Sequence, residues 1–130
     1  MSVPEQVNTS HGPRNRLPTD WRPSATLEVL KLRARLLAQI REFFARRSVL
    51  EVETPALSHA GVCDPDLHSL RTMAAFSGTS KEMALYLHTS PEFAMKRLLS
   101  AGSGSIYQIA RVFRDGERGR LHNPEITLVE

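Results

Sequence analysis

Cys63 is the single cysteine in 130 residues, so no disulfide can form within the chain and the disulfide-stapled secreted modules are excluded. No apolar run approaches the roughly 20 residues that a membrane-spanning helix requires. The opening MSVPEQVNTSHGPRNRLPTDWRPS carries Pro, Asn and Ser where a signal peptide would carry an apolar core. Residues 1–22 are therefore expected to be a mobile leader pinned to the body by Trp21, and the expected location is cytoplasmic. No Walker-type sequence occurs, and the pair Gly102 and Gly104 is no dinucleotide fingerprint, because Tyr107 stands where the third glycine is needed. His59, Cys63 and His68 lack a fourth ligand at suitable spacing, so no metal site is expected. Aromatic residues make up only 6%. Arg33, Arg35, Arg41, Arg46 and Arg47 thus have no stacking platform among them and read as the solvated side of a helix, which makes nucleic acid a poor candidate partner.

What remains is enough for one modest core: 41% of the residues are hydrophobic, and one domain over residues 23–130 is expected. The formal charge of +3 is a mild excess that favours phosphate-bearing ligands without identifying one. From Ala25 to Arg47, Leu32, Leu36, Leu37, Ile40, Phe43 and Phe44 recur at spacings of three and four, which predicts an amphipathic helix. Val49, Leu50 and Val52 then predict a strand ending at Pro55. Between Ser58 and Ser80, the Asp64–Pro65 step and a Ser-Gly-Thr-Ser turn predict short strands joined by loops, with Asp64, Asp66 and His68 shaping one loop.

Two later segments carry the chemistry. In LHTSPEFAMKRLLSAG, Leu85 and Leu87 lead in as a short strand, Ser90 is placed to cap a helix, and Pro91 suits the first helical position. Phe93, Met95, Leu98 and Leu99 supply the apolar face, and Gly102 and Gly104 mark the stop. Glu92, in the first turn, is favoured in its charged form by the helix N-terminus and is available as a fixed anion. In QIARVFRDGERGRLHNPEITLVE, Ile109, Val112 and Phe113 lead to Arg114, and Ile126, Leu128 and Val129 resume the pattern after Pro124, predicting a hairpin with a long loop. Arg114, Arg118, Arg120 and His122 gather forked and ring donors suited to phosphate oxygens.

The order of these residues resembles the class II aminoacyl-tRNA synthetases, in the branch shared by the lysyl enzymes and the ligases that modify elongation factor P. The helix with VLEVETPALS is similar to the first signature motif, TSPE to the floor of the amino-acid pocket, and FRDGERGRLHNPEITLVE to the second signature motif; the likeness covers Trp21 to Glu130. The resemblance implies an α+β fold, a partial class II catalytic core in which an antiparallel sheet is flanked by helices, and a homodimer formed through the first helix. It implies Ser90, Pro91 and Glu92 as amino-acid-binding residues, with Glu92 meeting an ammonium group of lysine or β-lysine. Arg114 becomes the catalytic residue that neutralises the α-phosphate of ATP. Asp115, Gly116, His122, Asn123 and Ile126 complete the ATP side, His122 at the outer phosphates and the main chain near Asn123 at the adenine edge. Magnesium would accompany ATP, with its carboxylate ligands expected outside these residues. Gly116 stands where most members carry Glu, and Ile126 occupies the place of an adenine-stacking Phe. An Ile covers a base by dispersion without the ring's stacking geometry, so weaker nucleotide binding is expected.

Within that branch, an anticodon-binding barrel needs far more chain than the roughly two dozen residues before the first helix. The expected reaction is ATP-dependent activation of a lysine-type amino acid and its transfer to a lysine of elongation factor P, with tRNA the less expected acceptor. The third signature motif is absent, and Glu130 falls inside a predicted strand. The chain is therefore expected to be the front part of a catalytic domain of roughly 300 residues, inactive alone. Two alternatives stay open: a fragment of a lysyl- or aspartyl-like synthetase, and a non-catalytic module for dimerisation or RNA binding.

Overall fold

The computed structural model describes residues 22–78 and 82–130. Residues 1–21 of the expected leader, and the end of the turn at Ser80, lie outside the described residues. Helix α1 spans Leu27–Ala45, two residues shorter at each end than its periodicity predicts. Thr26 is the N-cap, its hydroxyl accepting from the Val29 N–H at 3.3 Å. At the other end Ser48 adopts φ 54, and the Val49 N–H reaches back to the Phe44 carbonyl at 3.1 Å, which turns the chain into the first strand.

Burial of α1 is one-sided. Leu37, Ile40 and Phe44 are half-buried, whereas Leu32, Leu36 and Phe43 stay about half exposed. Two arginines of the solvated face also reach a neighbouring strand while remaining accessible to solvent, because their side chains are long enough to cross to it. Arg33 Nη2 donates to Thr127 Oγ1 at 2.6 Å, and Arg41 Nε donates to the Glu51 carboxylate at 3.1 Å.

Strand β1 (Leu50–Glu51) pairs in parallel with β5 (Ile106–Tyr107). Strands β2 (Leu57–Ser58), β4 (Glu82–Leu87) and β3 (Arg71–Ala75) form an antiparallel sheet in that order. Strands β6 (Ile109–Phe113) and β7 (Glu125–Val129) form an antiparallel hairpin. The expected antiparallel sheet thus holds for two of the three sheets. The third is parallel because β1 and β5 are separated by the β2–β4 segment and a helix, the long crossover that parallel neighbours require.

That helix, α2, spans Glu92–Ser100. Pro91 is its N-cap and not its first helical residue: the Pro91 carbonyl accepts from Ala94 and Met95, and the Ser90 hydroxyl accepts from the Glu92 N–H at 3.1 Å. Gly102, at φ 88, closes the other end as the Ser103 N–H returns to the Leu98 carbonyl, a left-handed termination that favours glycine.

The core lies where these pieces meet. Val112 and Pro91 are fully buried, with Leu85, Met95, Tyr107 and Ala110 nearly so. The hairpin register sets Val112 opposite Ile126 and Ala110 opposite Leu128, so one face of the hairpin is apolar, while Arg111 and Glu125 pair across the other. At the junction of β5 and β6, the Phe44 ring stacks on Tyr107 with centroids 4.0 Å apart, and the Tyr107 hydroxyl donates to Glu51 Oε2 at 2.9 Å. The buried Gln108 next to it accepts from Thr54 Oγ1 at 2.9 Å and exchanges two main-chain hydrogen bonds with Glu130.

Burial holds the Tyr107 phenol above its ordinary value of 10.0, and the hydrogen bond to Glu51 and the charge of that carboxylate act in the same direction. The fold thus favours the neutral phenol. Tyr107→Phe should cost about 1 kcal/mol in denaturant titrations near neutral pH, the usual net worth of one such hydrogen bond. A group whose folded value is raised contributes fully below its unfolded value and loses that contribution as pH climbs through the folded one. The difference between the two proteins should therefore persist up to pH 10.0 and shrink above it; a gap that stays constant would show that Tyr107 acts by packing alone.

Candidate active site

The Thr89–Glu92 run leaves β4 and opens α2, and two adjoining cavities of about 430 and 530 Å³ lie beside it. Val62, Cys63, Thr89, Ser90 and Phe93 line both. Pro91 is part of the wall of the first, and Glu92 faces the second with Asp64 and Asp66. Thr89 is buried and Pro91 fully so, which anchors the wall in the core. Asp64 Oδ1 accepts from the Asp66 N–H at 2.9 Å, a side-chain-closed turn that shapes the opposite rim. The three residues expected to bind the amino acid are thus brought together, and the aspartates expected only to shape a loop also line the cavity.

Ser90 is the centre of a polar chain. Its hydroxyl accepts from the Glu92 N–H and donates to Glu130 Oε2 at 3.3 Å. The Glu92 carboxylate in turn pairs with Lys96 Nζ at 2.7 Å. The hydrogen bond to Glu92, and then its charge, raise Lys96 above its ordinary value; desolvation opposes them and Glu130 adds to them. Neither Lys96 nor Glu130 was an expected site residue. Lys96 had a signal, since it stands four residues after Glu92 on a helix, whereas Glu130 reaches the site only through its strand pairing with Gln108.

Arg114 directly follows β6 and is held by the main chain around it. The Phe113 N–H donates to the His88 carbonyl at 2.9 Å, the Arg114 N–H to the Pro124 carbonyl at 2.9 Å, and the Asp115 N–H to the His68 carbonyl at 2.8 Å. Its guanidinium is only partly satisfied: Nη1 lies 3.4 Å from Glu117, while Nε is buried with no acceptor. A buried donor on a cation without a partner is costly, so this nitrogen calls for an acceptor. Strand alternation puts Arg114 on the same hairpin face as Val112 and Ile126.

Beyond Arg114 the loop is ordered by short-range bonds. Asp115 Oδ1 accepts from the Gly116 N–H at 2.9 Å, and Gly119 and His122 pair as an isolated bridge. Gly116 has φ 78 with open space around it, so its glycine is explained by a left-handed turn and not by close approach. His122 and Asn123 are exposed. None of Arg114, Asp115, Gly116, His122, Asn123 and Ile126, the residues expected on the ATP side, lines the two cavities. Among the described residues no group of three or more His, Cys, Asp and Glu is placed to hold a metal ion, and no helix is long and apolar enough to cross a membrane.

The family described as tRNA synthetases class II (D, K and N) matches residues 13–130. Relatives named elongation factor P–(R)-beta-lysine ligase are 60% identical over 112 residues in Vibrio cholerae, 57% over 111 in Vibrio vulnificus and 55% over 111 in Photorhabdus laumondii. The matches take in 85–86% of this chain but 34–35% of each relative, so the chain spans about a third of their length. The cavity wall at Thr89–Glu92 and the hairpin that carries Arg114 both fall within the matched residues, and the chain belongs to the class II tRNA synthetase family.

Proposed function

We propose that this chain builds the amino-acid pocket and the α-phosphate contact of an ATP-dependent ligase of its relatives' length, which activates a lysine-type amino acid and passes it to a lysine of elongation factor P. The observation that carries the proposal is the buried, unpartnered Nε of Arg114, on the residue after Phe113, whose N–H is bonded to the carbonyl of His88 just before the Ser90–Glu92 wall. A phosphate oxygen would satisfy that donor, and a carboxylate at Glu92 would hold the ammonium of the amino acid.

In the first step a carboxylate oxygen of the amino acid attacks the α-phosphorus of ATP, the bond to the bridging oxygen breaks, and pyrophosphate leaves. In the second the amine of the acceptor lysine attacks the acyl carbon, AMP leaves, and the amine gives up a proton. No covalent bond to the enzyme is needed, so positioning and charge neutralisation supply the rate. Arg114 neutralises charge developing on the α-phosphate. Ser90 and the buried Pro91 fix the start of α2 and with it Glu92. His122 meets the outer phosphates, the main chain at Asn123 reads the adenine edge, Ile126 offers the base an apolar surface, and Asp115 with Gly116 sets the turn that lets the loop leave β6. Magnesium would accompany ATP, but the described residues form no carboxylate group for it, and no step is routed through the ion. Exposed Leu32, Leu36 and Phe43 on α1 support a second copy of the chain as partner. Acting on a translation factor, the enzyme would work in the cytoplasm.

In a protein of the relatives' length carrying this chain, Arg114→Ala should lower lysine-dependent ATP–pyrophosphate exchange by about 100-fold or more, the scale set by removing one donor from a developing anion. Unchanged exchange would remove Arg114 from the chemistry. Glu92→Gln should abolish most exchange at limiting lysine, since a neutral amide cannot pair an ammonium. Offered β-lysine, ATP, elongation factor P and tRNA together, the protein should label elongation factor P; labelled tRNA with unlabelled protein would favour the lysyl-tRNA synthetase reading.

A further inference from the structure

The Glu92 carboxylate has an ammonium partner supplied by the chain itself. Lys96 lies one turn further along α2, and its Nζ is 2.7 Å from Glu92 Oε1. The order, carboxylate first and ammonium four residues later, is the favourable one on a helix. We infer that Lys96 is a specificity-setting residue that occupies Glu92 until the ammonium of a cationic amino acid displaces it. The inference rests on the amino-acid reading of the cavity given above.

Three observations carry it. Glu92 lines the cavity together with Asp64 and Asp66, so the space beside the pair is acidic and receives cations. The anchor of Glu92 is independent of Lys96, because its N–H is held by Ser90 Oγ, which is itself held by Glu130. Losing Lys96 would therefore free the carboxylate without moving its backbone. Finally, the pair is displaceable: the Lys96 and Glu92 side chains are 62% and 49% exposed, and an exposed ion pair is held weakly enough for a competing ammonium to replace it. A buried pair of the same length would have blocked the carboxylate. The cavity thus discriminates by exchange: a ligand with an ammonium at Glu92 recovers what the departing lysine gives up, and one without it must break the pair or leave Glu92 untouched.

The test is a titration with L-lysine of a protein of the relatives' length carrying this chain, followed through the amide signals of Ser90 and Glu92, in the unsubstituted protein and in Lys96→Met, Lys96→Arg, Glu92→Gln and the Glu92→Gln, Lys96→Met double variant. Lys96→Met should bind L-lysine about two- to five-fold more tightly at low salt, the range spanned by an exposed ion pair, and the gain should shrink at high salt. Lys96→Arg, which keeps the competing charge, should stay near the unsubstituted protein, and Lys96→Met should have no effect in the Glu92→Gln background. Unchanged or weaker binding in Lys96→Met, or the same gain without Glu92, overturns the inference while leaving the amino-acid site intact. Absence of any lysine-dependent shift in the unsubstituted protein of the relatives' length overturns the amino-acid reading and the inference with it.

Discussion

The two-residue junction Tyr107–Gln108 holds the molecule together. On one side the Tyr107 ring stacks on Phe44 of α1 and its hydroxyl reaches Glu51 of β1, which Arg41 also grips. On the other side Gln108 ties β7 by two main-chain bonds to Glu130 and ties the segment after β1 through Thr54. Helix α1, the parallel pair and the hairpin would otherwise share few contacts. The Tyr107 and Gln108 side chains are buried and their partly buried hydrogen bonds have partners present, the condition under which such a network specifies one arrangement instead of costing stability.

Seen from that junction, the site is made of two surfaces meeting at β4 and β6. The Thr89–Glu92 wall follows the end of β4, where His88 donates its N–H to Ala56 and receives the N–H of Phe113 at its carbonyl. The His88 ring adds a third tie, with Nε2 at 2.7 Å from the Arg111 carbonyl. That bond places the ring proton on Nε2. Arg114 follows directly after this cross-brace, so the guanidinium and the carboxylate of Glu92 are positioned from one frame although they line different surfaces.

Legibility in the sequence followed the range of the interactions. The hairpin was readable because both strands alternate and Pro124 punctuates them, and α1 was readable because its period is sustained over several turns. The extent to which α1 is covered was not, since an apolar stripe states what a helix can bury and not what lies next to it. The partners of Arg33 and Arg41 were not legible for the same reason: Thr127 and Glu51 are set by folding and not by spacing. The parallel pairing of β1 with β5 joins two-residue strands more than fifty positions apart, beyond any local pattern. The helix start at TSPE was legible from its cap signal, with its boundary one residue off because Pro91 lends its carbonyl to the first turn. Glu130 was missed because only the hairpin register brings it to Ser90, and the conformational reason for Gly116 required its φ.

The bond from the Asp115 N–H to the His68 carbonyl separates two kinds of constraint on the loop between β2 and β3. Being main chain on both sides, it is indifferent to which side chain stands at either position. It is not indifferent to how many residues lie between the rim at Asp64 and position 68. Substitutions along that loop can accumulate without loosening the residue after Arg114, whereas an insertion or deletion of one residue would carry the carbonyl away from its donor. Sequence drift and length variation, commonly taken together as marks of an unimportant loop, are uncoupled here.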